Sequence, residues 1–139
     1  MEGNFTLSII KPRAVQKGFI IPILEKCHEA GFRISAMKLV QLTKKQVAGF
    51  YKEHEGKSFF ESLVEFMSSD RVVVILFEKD NAVADFRKLI GATDPSEAAP
   101  GTIRNLYAES KEKNAVHGSD SDESALRESD FFFSKMERF

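Results

Sequence analysis

The six residues Val72-Val73-Val74-Ile75-Leu76-Phe77 form an unbroken apolar run, mostly β-branched. The run is too short for an ordinary helix and rich in residues that suit a pleated chain. It predicts a strand buried on both faces. No other stretch constrains the fold as much, because the remaining elements have to pair with this strand and cover it.

Three further strands and several helices can be read around it. Phe5-Thr6-Leu7-Ser8-Ile9-Ile10 alternates apolar and polar residues, the period of a strand. It stops at Lys11-Pro12, where the proline disfavours helical geometry at Lys11. A lysine at such a strand end either points into the cleft at the sheet edge or lies solvated in a loop. After Gly18, residues Ile20, Ile21, Leu24, Cys27 and His28 recur at helical spacing, and Gly31 caps that helix. Phe32 to Leu42 reads as a strand with Ile34, Ala36, Lys38 and Val40 on one face and Met37 and Leu39 on the other. Thr43 with Gln46 three residues on predicts a capping box and a helix through Tyr51. Glu55-Gly56-Lys57-Ser58 interrupts the pattern. A second helix then resumes from Phe59 to Met67, with Phe60, Leu63, Val64 and Met67 on one stripe. Asn81 to Ile90 is a short helix closed by Gly91.

Ala92 to Lys113 shows no strong periodicity and contains Thr93-Asp94-Pro95 and Pro100-Gly101-Thr102-Ile103-Arg104. Ordered loops of that length are uncommon in compact domains and usually functional. A short strand around Val116 follows. Ser119, Asp120 or Ser121 then caps a last helix running to about Phe133. With the helix pair counted as one crossover, the order is βαββαβ. The best match is an α+β, ferredoxin-like sandwich: an antiparallel four-stranded sheet with helices packed on it, a helix-pair insertion, and a long loop before the last strand. A small flavodoxin-like sheet is the runner-up.

At 139 residues the chain fits one domain, 1–139. A hydrophobic share of 42% and a charged share of 29% are those of an ordinary soluble globular protein. The net charge of −1 gives no broad field for a nucleic-acid backbone, so no nucleic-acid partner is expected, although a local cationic pocket stays open. Cys27 is the single cysteine, read as a small buried apolar residue. The start, Met1-Glu2-Gly3-Asn4-Phe5, lacks the pattern of a signal peptide, and no apolar stretch is long enough to span a bilayer. A cytoplasmic, membrane-free setting is the expectation.

The chemistry concentrates in Asn114-Ala115-Val116-His117-Gly118-Ser119-Asp120-Ser121. A histidine beside a helix start can serve as nucleophile or proton shuttle toward an anion, since the start offers unpaired N–H groups and partial positive charge. Taken alone, a His-Gly pair serves as readily as a space-filling turn. Lys11, Arg87, Thr93 and Arg104 are candidate phosphate handlers, combining a compact charge, two guanidinium forks and a hydroxyl. There is no Walker A pattern and no HRD or DFG set. Phosphoryl transfer here would need another device, and a neutral imidazole with a pKa of about 6.5 can attack a γ-phosphate to form a phosphohistidine.

In these motifs the chain resembles the nucleoside diphosphate kinases over essentially its whole length. Asn114 to Ser121 is similar to that family's N-x-x-H-G-S-D signature. Supporting matches are Ile10-Lys11-Pro12, Tyr51-Lys52-Glu53-His54 leading to Phe59-Phe60, Arg87-Lys88-Leu89-Ile90-Gly91, and Ala99-Pro100-Gly101-Thr102-Ile103-Arg104. The resemblance implies that γ-phosphate passes from a nucleoside triphosphate to a diphosphate by a ping-pong route through phosphorylated His117, with Glu128 and Ser119 orienting the ring. It implies that Lys11, Tyr51, Arg87, Thr93, Arg104 and Asn114 contact phosphates and ribose and that Phe59 stacks on the base. Mg²⁺ is expected to arrive on the nucleotide phosphates with few or no protein ligands. Stacking without edge hydrogen bonds accounts for tolerance of every base.

The same resemblance implies a homotetramer or homohexamer built on a common dimer, and the short C-terminus is similar to bacterial members. The chain departs from the family pattern at several positions. Arg13 stands where an acid is usual, and Ser58 where proline is common. Ser69-Asp70-Arg71 replaces a Ser-Gly-Pro turn, and Lys111 lies where an apolar residue often faces the base. Glu128 lies roughly 10 Å along the helix from Ser121, so the helix must run back beside the short strand to reach His117. The contrasting class is a non-catalytic ferredoxin-like module for RNA or a regulatory ligand. Against it, Arg71 to Phe77 carries no aromatic residue until its end.

Overall fold

The computed structural model describes residues 3–139, so Met1 and Glu2 of the N-terminal segment read above lie outside the described residues. In chain order the elements are β1 (Phe5–Ile10), α1 (Pro12–Gln16), α2 (Ile20–Glu29), β2 (Arg33–Gln41), α3 (Lys44–Phe50), α4 (Phe60–Ser68), β3 (Arg71–Glu78), α5 (Ala82–Ile90), α6 (Ile103–Tyr107), β4 (Val116–Gly118) and α7 (Asp122–Phe132). Short 3₁₀ turns sit at Lys52–His54 and Lys135–Glu137.

The sheet runs β2-β3-β1-β4. Every neighbouring pair is antiparallel, with Phe5 opposite Glu78, Ser8 opposite Gly118 and Gln41 opposite Arg71. This is the ferredoxin-like order expected from the pattern. β3 lies inside it, and Val72 to Phe77 are all buried. Its alternation divides them between two cores. Val73, Ile75 and Phe77 pack with Ile23, Cys27, Phe32, Phe86 and Ile90 on one face. Val72, Val74 and Leu76 pack with Val47, Phe50, Leu63 and Met67 on the other. A strand with apolar side chains on both faces therefore holds helices against both faces of the sheet.

The capping box forms as read: the Thr43 hydroxyl accepts from the Gln46 N–H at 3.1 Å, and Gln46 Oε1 accepts from the Thr43 N–H at 2.9 Å. Ser121 is the cap of α7, accepting from the Ser124 N–H at 3.1 Å.

Lys11 is extended, as the following proline demands, and Pro12 opens a short helix, because proline at the first helical position loses only an N–H that would be unpaired there. Two local readings change. The segment read as one long loop contains α6, capped by the Thr102 hydroxyl accepting from the Asn105 N–H. In β2 the register shifts between Ile34 and Ala36, so the bulge breaks the alternation and leaves Ile34 exposed along with Met37 and Leu39.

Candidate active site

β1 and β4 together set the floor of the site. Their register places Ile9 opposite His117, so the ring stands on the sheet. β4 is entered through an unusual turn at Ala115, a non-glycine residue with φ 73°, in which the Val116 N–H donates to the Asn114 carbonyl at 2.9 Å. This is the geometry of a classic γ-turn, rare because it is strained. The Lys11 N–H, donating to the Ala115 carbonyl at 2.8 Å, holds it in place. The turn brings Asn114 beside the end of β1, where its Oδ1 accepts from Lys11 Nζ at 2.7 Å. Asn114 Nδ2 also donates to the Thr93 carbonyl at 3.4 Å.

Among the described residues, one ring nitrogen of His117 has a hydrogen-bond partner. Its Nε2–H donates to Glu128 Oε1 at 2.9 Å, and the same oxygen accepts the Ser119 hydroxyl at 2.7 Å. Ser119 Oγ in turn accepts the Leu7 N–H at 3.1 Å, so the chain of bonds is anchored in β1. α7 does run back beside β4, as the position of Glu128 demands. Glu128 and Ser119 are buried, whereas the His117 side chain keeps 17% exposure. The imidazole also meets Phe50 edge-on at 5.3 Å and Tyr51 at 6.1 Å.

Cations gather around this ring. Lys11 is buried, and desolvation with help from nearby Arg104 lowers its pKa from 10.5 to about 7, against an opposing pull from Glu112. Arg104 is also buried. Its Nη1 donates to the Gly91 carbonyl at 3.1 Å and its Nη2 to the Val116 carbonyl at 2.9 Å. Burial and the charge of Arg87 lower its pKa to about 10, so it stays charged at neutral pH. Arg87, Thr93, Thr102 and Arg104 line a cavity of about 380 Å³. The Tyr51 hydroxyl is pushed above its ordinary pKa by burial and then by Glu128, so it remains a neutral donor. The Tyr51 hydroxyl and Arg104 Nε are buried without a hydrogen-bond partner among the described residues. Unpaired buried donors are costly, and an anionic ligand would satisfy them.

Phe59 precedes α4 at the rim and is 46% exposed. His54 bridges it to the site, with its ring 5.4 Å from Phe59 and 6.1 Å from Tyr51, and its Nδ1 accepts from Lys57 Nζ at 3.0 Å. Neither His54 nor Phe50 carries a sequence signal of its own for this site, although His54 closes the Tyr51-Lys52-Glu53-His54 segment. Contacts join nine of the ten predicted residues in two groups. Lys11 bonds to Asn114 and Asn114 to the Thr93 carbonyl, with Thr93 sharing one cavity with Arg87 and Arg104. Glu128, Ser119 and Tyr51 stand around His117, while Phe59 stands at the rim and reaches Tyr51 through His54. Another cavity, of about 590 Å³, lies elsewhere, lined by Phe5, Arg33, Leu126 and Phe139, and contains none of the ten.

An antiparallel ferredoxin-like sheet carrying an oriented histidine beneath converging cations is the framework of a phosphate-handling enzyme. The nucleoside diphosphate kinase family model matches residues 4–138. A nucleoside diphosphate kinase of Chloroherpeton thalassium is 56% identical over 132 residues, covering 95% of this chain and 94% of that one. A Chlorobaculum parvum relative of the same name is 55% identical over the same shares. Among solved structures, the Aquifex aeolicus nucleoside diphosphate kinase superposes with a TM-score of 0.96 at 42% identity, covering 98% of this chain and 99% of that one. The Halobacterium salinarum enzyme, solved in complex with CDP, gives 0.94 at 34% identity over 99% and 91%. The chain belongs to the nucleoside diphosphate kinase family and is an enzyme of that class. No helix among the described residues is long and apolar enough to cross a membrane.

Proposed function

We propose that this chain, as one domain over residues 1–139, transfers the γ-phosphate of a nucleoside triphosphate to a nucleoside diphosphate by a ping-pong route through His117. The observation that carries the reading is the one-sided fixing of the imidazole by Glu128. With Nε2–H donating to the carboxylate, the lone pair is left on Nδ1, facing away from Glu128. The Nδ1–P bond forms as the bond from phosphorus to the bridging oxygen breaks, and the nucleoside diphosphate leaves with that oxygen's electron pair. The ring becomes positive as it is phosphorylated, and the Glu128 carboxylate offsets that charge while Ser119 keeps the carboxylate aimed. A second diphosphate then reverses the step.

Lys11, Arg87 and Arg104 take the role of neutralising phosphate oxygens, with Tyr51, Thr93 and Asn114 as neutral hydrogen-bonding groups toward phosphate and ribose. Phe59 supplies a π-face for the base with no edge-reading partner, which suits broad base tolerance. The donor set in the cleft is cationic and hydroxylic, so it suits phosphate oxygens and not a bare metal ion. Mg²⁺ therefore fits as cargo on the nucleotide, where it would neutralise part of the phosphate charge. That the Halobacterium salinarum relative was solved in complex with CDP supports nucleotide binding by this chain.

A cytoplasmic homo-oligomer, tetramer or hexamer on a common dimer, is part of the proposal. β2 ends the sheet with Met37 and Leu39 about half exposed; near its start the Phe139 N–H donates to the Ser35 carbonyl, and the stretch beyond is strand edge that a second copy would cover. Light scattering chooses between four and six copies. The mechanism is tested by incubation with labelled ATP, which is expected to give an acid-labile, base-stable phosphoenzyme. Normal labelling and turnover by His117→Asn would defeat it.

A further inference from the structure

The loop 109–113 between α6 and β4 is closed on itself. The Glu109 N–H donates to the Lys113 carbonyl at 2.9 Å, and the Lys113 N–H donates to the Ser110 hydroxyl at 3.0 Å. Two sets of contacts seat it. On one side the Glu109 carboxylate accepts from Arg13 Nε of α1 at 2.9 and 3.0 Å, and Lys17 Nζ lies 2.5 Å from the same carboxylate. On the other side the Ser62 hydroxyl of α4 donates to Glu112 Oε1 at 2.6 Å, and the Lys113 ammonium lies 5.9 Å from the centre of the Phe66 ring.

The loop therefore spans two elements that border the cleft. α1 begins directly after Lys11, and α4 begins directly after Phe59. Asn114 follows the loop immediately and is bonded to Lys11 Nζ. A displacement of the loop would move Asn114 against Lys11 and change the spacing of the loop from Phe59. We infer that Arg13, Lys17 and Glu109 form a charge latch that positions loop 109–113 and sets nucleotide affinity at the adjoining cleft; this rests on the reading of that cleft as a nucleotide site. Among the described residues no side-chain hydrogen bond or ion pair joins these three to the cleft's phosphate-binding set, so they act as positioning residues. Two cations converging on one carboxylate form a network, and Lys17 and then Arg13 hold the Glu109 carboxyl below the ordinary carboxylate range. Isolated surface pairs do little for stability, so the latch acts on loop geometry.

The full chain is assayed as wild type, Arg13→Ala, Glu109→Ala and the charge swap R13E/K17E/E109R, which reverses all three charges of the network, recording KM for a nucleoside diphosphate, kcat, and amide exchange in the loop. Each single variant is expected to raise KM about two- to fivefold, the scale of one exposed ion-pair network, with kcat unchanged. About 0.5 M salt should shrink the KM difference between the wild type and Glu109→Ala, because the pairs are exposed. The swap should restore KM, which loss of packing alone would not permit. An unchanged KM in Glu109→Ala, a fall in kcat at fixed KM, or a swap that restores nothing would overturn the latch. Should the wild type exchange no phosphate between nucleotides, it is the reading of the cleft that fails. The latch is then judged by exchange at the Glu109 and Ser110 positions: faster in the Ala variants supports it, equal protection refutes it.

Discussion

Replacing Lys11 by methionine should make the empty protein more stable while weakening its grip on nucleotide. The Lys11 ammonium is buried at the end of β1, its Nζ bonded to Asn114, and its pKa falls from 10.5 to about 7 through burial and then Arg104. At about 1.4 kcal/mol per tenfold change in proton affinity, that displacement amounts to roughly 5 kcal/mol of folding free energy lost below pH 7. The sign follows from proton counting. Between about pH 7 and 10.5 the unfolded chain keeps a proton that the folded chain has released, so wild-type stability rises with pH across that window. The methionine variant lacks this dependence. Its advantage is largest near pH 6 and shrinks to roughly 2 kcal/mol near pH 9. Urea unfolding of both proteins at the two pH values reads the difference directly. A phosphate charge about 4 Å from the ammonium contributes about 4 kcal/mol at an effective dielectric of about 20, enough to restore the proton. Binding of a nucleoside triphosphate near pH 8 is therefore expected to take up a proton, visible by calorimetry in buffers of different ionisation enthalpy. A methionine variant less stable than wild type near pH 6, or a gap that does not narrow by pH 9, would refute the reasoning.

Arg104→Ala removes a charged donor from the transferring group and should lower turnover by about 10²–10³-fold; near wild-type kinetics would remove Arg104 from the site. Gly91→Ala would put a Cβ 2.5 Å from Thr102 Oγ1 at a φ of 86°, and Gly91 also offers its carbonyl to Arg104. Its expected effect is a loss of about 1–3 kcal/mol in denaturant together with slower turnover, and an unchanged profile would mean that Thr102 yields freely. Phe59→Ala should raise KM about tenfold for every base alike, measured across purine and pyrimidine diphosphates, whereas loss for one base only would argue for edge reading. Phe86 is fully buried against Phe32 and Phe77, so Phe86→Ala should cost about 3–5 kcal/mol, a size that a denaturant midpoint resolves easily.

Much of the architecture was legible in local pattern. β3 could be read because burial on both faces leaves no polar alternation to confuse it, and α3 because its capping box is written within four residues. The missed pieces are short. α1 and α6 have five residues each, too few for a helical period to repeat. The bulge in β2 depends on pairing with β3, which no residue of β2 announces. At the site, the residues around His117 pointed to it directly, and the resemblance added Glu128. The sequence also set a geometric demand, that α7 double back beside β4, and the 2.9 Å contact meets it.

Residue types at fixed spacing are properties of the chain itself, and they sufficed for the central strand, the capped helices and the histidine segment. Convergence is a property of the folded state. Lys11 and Asn114 lie 103 positions apart, and Arg13 and Glu109 lie 96 apart, yet both pairs bond directly. Arg13 read in sequence as a bare change of charge, and only the folded chain shows which carboxylate receives it. The physical reason is range: helical and strand periods act over a few residues, whereas desolvation and ion pairing depend on which distant segments are packed against each other. The same packing leaves the Lys11 ammonium dry and the His117 ring partly open, and neither condition can be written into a motif.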